Sequence, residues 1–205
     1  TALASNTSGD QNTAIGGGAL QLNTTASSNT AVGYQAGYNN TTGTYNTALG
    51  YQSSYTSSTA NYLTAVGYQA GYSNSSGQFN TSLGWKAAYS VTSGNDNTAL
   101  GHNSMPNATT ASSTVSIGAD ACRFLTTGLY NVSVGMNALR SNTTSSGNTA
   151  VGYKSMYANT TGSESAAFGY EALSHMTTSG ANAAFGYQAL KESTAGNNTA
   201  VGSKA

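Results

Sequence analysis

The chain is poor in charge: six basic and six acidic residues among 205, for a formal net charge of zero. Charge this sparse leaves no electrostatic footprint for nucleic acid or for an anionic membrane surface. A single cysteine, Cys122, excludes an internal disulfide framework and a cysteine-rich metal site. A single proline, Pro106, leaves no proline-rich linker. No apolar run approaches the roughly eighteen residues of a membrane-spanning helix, so no membrane insertion is expected. The sequence opens Thr1-Ala2-Leu3, with no initiator Met and no signal-peptide pattern, and reads as a processed chain or a segment of a longer one.

What is abundant is Asn, Thr, Ser, Gly, Ala and Tyr. Disordered chains combine few aromatics with high net charge. Fourteen Tyr, four Phe and one Trp in a neutral chain do not fit that class.

The organising feature is a repeat. Gly recurs at Gly16, Gly33, Gly50, Gly67, Gly84, Gly101, Gly118, Gly135, Gly152, Gly169, Gly186 and Gly202, at intervals of seventeen residues and, at the last step, sixteen. With this glycine set as position five, the sequence stacks into seventeen columns. Column four is always apolar: Ile15, Val32, Leu49, Val66, Leu83, Leu100, Ile117, Val134, Val151, Phe168, Phe185 and Val201. Columns three and eight are Ala or Ser throughout, and column thirteen is Thr or Ser. Column one is Asn in nine of twelve repeats. Column six carries Tyr34, Tyr51, Tyr68, Trp85, Tyr153, Tyr170 and Tyr187, and column ten carries Tyr38, Tyr55, Tyr72, Tyr89 and Tyr157.

All twelve charges fall in columns seven, ten, eleven, sixteen and seventeen. Charges avoid burial unless paired, so these columns mark wet corners and the rest mark protected faces. Seventeen residues are too few for a two-helix repeat unit, and the Thr, Val and Tyr content favours strands. The expected fold is therefore all-β: a parallel β-solenoid, or β-roll, of about twelve coils over residues 1–205, one continuous domain with two short strands per coil. The strands are expected over columns one to four and eight to thirteen, with column four as the core ladder and the column-five glycines at the bend. Coils pairing about 4.8 Å apart give a rod on the order of 60 Å long. Stacked repeats turn each column into a ladder of Asn amides or aromatic rings.

The motif Asn29-Thr30-Ala31-Val32-Gly33-Tyr34-Gln35-Ala36, repeated along essentially the whole chain, resembles the head repeats of YadA-type trimeric autotransporter adhesins and related repeats of phage tail fibres and bacterial surface fibres. The resemblance implies a left-handed β-roll, commonly three chains around one axis, with a role in attachment. The seventeen-residue repeat is a few residues longer than is common in adhesin heads, and no coiled-coil stalk or barrel anchor is present in these residues.

Catalytic constellations are not apparent. His102 lies in the aromatic column and His175 in a variable one, about four coils apart. Asp120 and Glu171 share column seven but are three coils apart, about 14 Å, too far to work as a pair. Cys122 shares its column with Leu20, Met105 and Leu139 and reads as a buried, inert thiol. Arg123 and Arg140 are neighbours in column ten and could grip an anion, though solvated corner charges are the simpler reading. Triplets such as Asn40-Thr41-Thr42 match the N-glycosylation pattern but come with the repeat. The expectation is a non-enzymatic extracellular fibre or adhesin segment with no cofactor or metal, found on a bacterial surface, in a secreted filament or in a virion fibre. Its expected partner is itself, as a head-to-tail filament, a homotrimer or both, with a cell-surface glycan or matrix as a further candidate. Both terminal fragments keep the repeat consensus, so the array is expected to continue into a longer fibre. Two rival readings stay open: ice binding through the Thr/Ser columns thirteen and fourteen, and a carbohydrate-binding rod using the column-six Tyr ladder.

Overall fold

The computed structural model describes residues Thr1–Ala205 in full. Twelve strands of three residues lie side by side in one parallel sheet, in chain order. They are β1 (Thr13–Ile15), β2 (Thr30–Val32), β3 (Thr47–Leu49), β4 (Thr64–Val66), β5 (Thr81–Leu83), β6 (Thr98–Leu100), β7 (Val115–Ile117), β8 (Val132–Val134), β9 (Thr149–Val151), β10 (Ala166–Phe168), β11 (Ala183–Phe185) and β12 (Thr199–Val201). Every pair is in register, Thr30 beside Thr47 and Val32 beside Leu49, for example. The shortened last repeat keeps register too, with Ala183 beside Thr199 and Phe185 beside Val201. The parallel β-solenoid with a seventeen-residue period is thus as the sequence implies.

One strand per coil forms rather than two. Columns five to twelve turn instead of extending. The column-eight amide donates to the column-five carbonyl, as Ala36 to Gly33, and the column-twelve amide to the column-nine carbonyl, as Asn40 to Gly37. Columns seven, nine and seventeen are left-handed in every coil, with φ of 53° at Gln35, 47° at Leu139 and 59° at Tyr45. A strand requires negative φ, so this backbone is a series of turns that bends the chain around the axis. It is nonetheless as regular as a sheet. Of 132 backbone hydrogen bonds only 22 lie within the strand ladder, and most of the remainder join each turn column to the same region of an adjacent coil. At column five the backbone runs at φ near 130°, 131° at Gly84, where a Cβ would lie 2.5 Å from the Gly101 carbonyl oxygen. Only glycine fits there.

The core also differs from the expected one. Column four faces outward: Ile15 is 60% exposed, Leu83 48%, Phe185 40% and Val201 75%. Val32, Val66, Leu100, Ile117, Val134 and Val151 are half-buried, and Leu49 and Phe168 are exposed. The inward residue of each strand is column three, the fully buried Ala31, Ala99, Ser116 and Ala150 among them. Successive strand residues face opposite sides, so an inward column three forces columns two and four out. Space explains the choice. Column three meets column nine across the coil, where a Cβ on Gly71 would come within 3.4 Å of the Ala65 Cβ. The large core side chains come from the left-handed column nine, as Met105, Leu139, Met156 and Leu173, and from column twelve, as Val91, Leu125 and Met176.

The interior varies along the rod. A continuous apolar cluster of nineteen residues runs from Ala87 to Ala189. The amino-terminal coils have a cluster of only five, ending at Ala48. Between them columns nine and twelve hold Gly37, Ser54, Gly71, Asn40, Ser57 and Asn74. There a cavity of about 10 Å³ adjoins the Ser54 and Ser57 hydroxyls, which have no hydrogen-bond partner in the protein. That is space for about one water molecule.

Candidate functional site

The outward columns six, seven, ten and seventeen carry most of the aromatic and charged side chains. The coil spacing falls inside the range preferred by offset-stacked rings, so residues sharing a column stack. In column six Tyr34, Tyr51 and Tyr68 have ring centroids 5.4 and 5.3 Å apart, and the stack continues through Trp85 to His102. It resumes with Tyr153, Tyr170 and Tyr187 at 5.1 and 5.3 Å. Column ten stacks Tyr38, Tyr55, Tyr72 and Tyr89 at 5.3, 5.1 and 5.0 Å. Burial inside that stack, then the phenols of Tyr89 and Tyr55, push the Tyr72 hydroxyl above its usual range. A third stack, Tyr45, Tyr62 and Phe79 in column seventeen, was not singled out in the sequence. Its signal was three successive aromatics at the repeat spacing, in a column that also holds Tyr130 and elsewhere carries small or polar residues.

The polar ladders are structural. Each column-one Asn that has a coil after it accepts, on its side-chain oxygen, the backbone amide of that coil, as Asn29 does from Asn46 at 2.9 Å. From Asn12 to Asn148 its amide also donates to the column-fifteen carbonyl fourteen residues on, as Asn29 to Gly43 at 2.9 Å. From Thr7 to Thr160 the column-thirteen hydroxyls donate to the column-thirteen carbonyl of the next coil, as Thr41 to Ser58 and Thr126 to Thr143. They are therefore committed inside the protein. Column fourteen, with Thr42, Thr59 and Thr110, is the exposed hydroxyl column.

None of the twelve charged residues is buried. Asp120 pairs with Arg123 at 3.1 Å and Glu171 with Lys191 at 2.8 Å. The Lys191 ammonium, followed by the Gln188 amide, holds the Glu171 carboxyl below the usual carboxylate range. His102 stacks on Trp85, whereas His175 meets Glu192 at 2.7 Å, so the two histidines sit in unrelated settings. Asp120 and Glu171 each have their own basic partner and do not face one another. Cys122 is fully buried, and burial pushes its thiol up to about 11 despite hydrogen bonds with Ser133 and Ser116. Such a thiol is protonated and unreactive near neutral pH.

Arg123 and Arg140 do neighbour one another in column ten. Both guanidinium groups lie over the Phe124 ring, at 5.7 and 5.1 Å, and Arg140 also lies over Tyr157 at 5.6 Å. Lys86 lies over Trp85 and Tyr89 at 4.8 and 5.2 Å, and Lys154 over Tyr153 and Tyr157 at 5.2 and 5.5 Å. Lys86, Arg140 and Lys154 have no carboxylate partner. Comparison with protein-family models, with curated proteins and with solved structures finds no match to this chain.

Proposed function

We propose that the chain is a passive, non-enzymatic segment of an extracellular fibre or adhesin, akin to the YadA-type heads it resembles in sequence, and that it associates with copies of itself. The observation that carries this reading is the outer face of the sheet. Columns two and four set Thr, or in four strands Val or Ala, beside Ile, Val, Leu or Phe on twelve consecutive strands, and no charged residue interrupts them. Large apolar side chains, exposed or half-buried in an unbroken outward row, are characteristic of an interaction surface. A face repeated with the coil period is best covered by a partner of the same period, which a second and a third copy of this chain supply. The constant register also lets coils of the same kind add along the axis, so lateral and axial association are compatible.

The Tyr ladders give less support to a rod gripping sugars along its length, because each ring inside a stack has its faces covered by its neighbours. Ice binding through columns thirteen and fourteen is likewise the weaker reading, since the column-thirteen hydroxyls donate to backbone carbonyls. The test is sedimentation of the wild type against a Leu100→Asp, Val134→Asp double variant, with circular dichroism to check the fold. The wild type should sediment as a trimer or a larger assembly and the variant as a folded monomer. A monomeric wild type at micromolar and higher concentration, with no filaments by electron microscopy, would overturn the self-association reading.

A further inference from the structure

The aromatic stacks are interrupted at the middle of the rod. Column ten runs Tyr72, Tyr89 and then Pro106, Arg123 and Arg140 before Tyr157. Column six ends its first stack at His102, followed by Ala119 and Met136. Where Pro106 replaces the next ring a cleft of about 360 Å³ opens, lined among others by Trp85, Lys86, Tyr89, Asn103, Asn107 and Arg123. Tyr89 stacks on Tyr72 on one side, no ring covers its other side, and the Lys86 ammonium lies 5.2 Å from its centroid.

The departures from the repeat are concentrated here. Lys86 stands where three preceding coils have Gln, Trp85 where they have Tyr, and Pro106 and Arg123 where four have Tyr. The backbone changes as well. In other coils the column-eleven amide donates to the next coil's column-ten carbonyl, as Ser90 does to Pro106. At Asn107 the side-chain amide takes that role, reaching the Arg123 carbonyl at 2.7 Å. The Asn107 side-chain oxygen stays without a protein donor, and the Asn103 side chain makes no hydrogen bond within the protein.

We infer that this cleft binds a sugar residue bearing a negative charge, a carboxylate or a sulfate, as part of an acidic glycan. Its parts match the parts of such a ligand. Trp85 is stacked on both sides, between Tyr68 and His102, but Tyr89 ends its stack, and its ring face away from Tyr72 offers apolar area to the C–H face of a pyranose. The two Asn side chains offer donors and acceptors to hydroxyls. Lys86 has no carboxylate partner, and Arg123 directs one nitrogen to Asp120 while its guanidinium carries further donors. An anion between them would meet charge-assisted hydrogen bonds. A neutral sugar would leave Lys86 with its aromatic contacts alone and no anionic partner. A nucleic acid is the poorer match because its affinity rests on many phosphate contacts, and this neutral chain gathers only four cations over the neighbouring coils. The inference does not depend on the fibre reading, since a monomeric rod would keep the same cleft.

Trp85 is the only tryptophan, so its fluorescence reports the cleft directly. The full chain is titrated with a sulfated oligosaccharide, a polyuronate oligosaccharide, an uncharged glucan oligosaccharide and a single-stranded oligonucleotide. At least one of the two acidic sugars should shift Trp85 emission saturably, and which one responds identifies the anion. The uncharged glucan should be at least tenfold weaker. Pro106→Tyr, which returns the consensus residue and fills the gap, should abolish the response. Lys86→Gln, also a consensus residue, should weaken it about tenfold, and both variants should keep the wild-type circular dichroism. No response to either acidic sugar, an equal response to the uncharged glucan, tighter binding of the oligonucleotide, or acidic-sugar binding unaltered in both variants would each overturn the inference. If Pro106→Tyr disturbs the fold, Lys86→Gln alone decides.

Discussion

At the scale of single residues, backbone conformation constrains the repeat more tightly than side-chain chemistry does. Column five has φ near 130°, and an added Cβ on Gly84 would press on the Gly101 carbonyl. Gly84→Ala should lower stability by about 3 kcal/mol or more, read as the shift of a thermal or denaturant midpoint. The left-handed columns behave in the opposite sense. Ser113 is exposed, has φ of 52° and makes no side-chain hydrogen bond. Ser113→Gly should therefore raise stability by about 1 kcal/mol through relief of the left-handed conformation. Cys122, buried with its thiol pushed up to about 11, should resist a thiol-titrating reagent at neutral pH in the folded protein. It should react with one equivalent after denaturation, and fast labelling in the native state would show the assignment to be wrong.

At the scale of the strand and its turns, the period and the parallel pairing were legible because they depend only on spacing. The orientation of the strand was not. Columns three and four are both free of charge, and exclusion of charge cannot distinguish a core from an outward apolar face. Size pointed the wrong way, since the larger residue of the pair lies outside and Ala or Ser lies inside. The true core was disguised by variety. Column nine alternates Leu139 and Met156 with Gly37, Ser54 and Cys122, and column twelve mixes Asn40 and Asn142 with Val91 and Leu125, because the two columns share one interior volume. The second strand was misread for a related reason: left-handed φ at Leu139 or Met156 has no signature in residue type. The aromatic ladders in columns six and ten, by contrast, follow from identity alone. A paired truncation measures the assignment. At concentrations where the chain is monomeric, Leu139→Ala should cost about 3 kcal/mol, whereas Val134→Ala should cost less than about 1 kcal/mol because Val134 faces outward. Equal losses would restore column four to the core.

At the scale of the whole molecule, stability should follow the interior along the axis. Local opening is easiest where few apolar contacts are buried. The large cluster spans Ala87 to Ala189, whereas the coils around Ser54 and Ser57 have a polar interior. Amide hydrogen exchange should therefore be slower at Cys122, Leu139 and Met156 than at Gly37, Ser54 and Gly71. Uniform protection from end to end would mean that the hydrogen-bonded turns, not the apolar interior, set the local stability.

Because each strand pairs only with the strands of the adjacent coils, the rod has no tie that spans its length. Pulled from its two ends, such a chain has no single point of rupture and should peel coil by coil. Each coil frees seventeen residues, about 60 Å of extended chain, and gives up about 5 Å of rod length. A single-molecule force trace should then show a series of near-equal steps of roughly 55 Å, and one all-or-none extension would exclude this behaviour. An object of this design tolerates shear by lengthening in small increments and can recoil as coils re-form on their neighbours, a mechanical property that a globular domain of the same mass does not share.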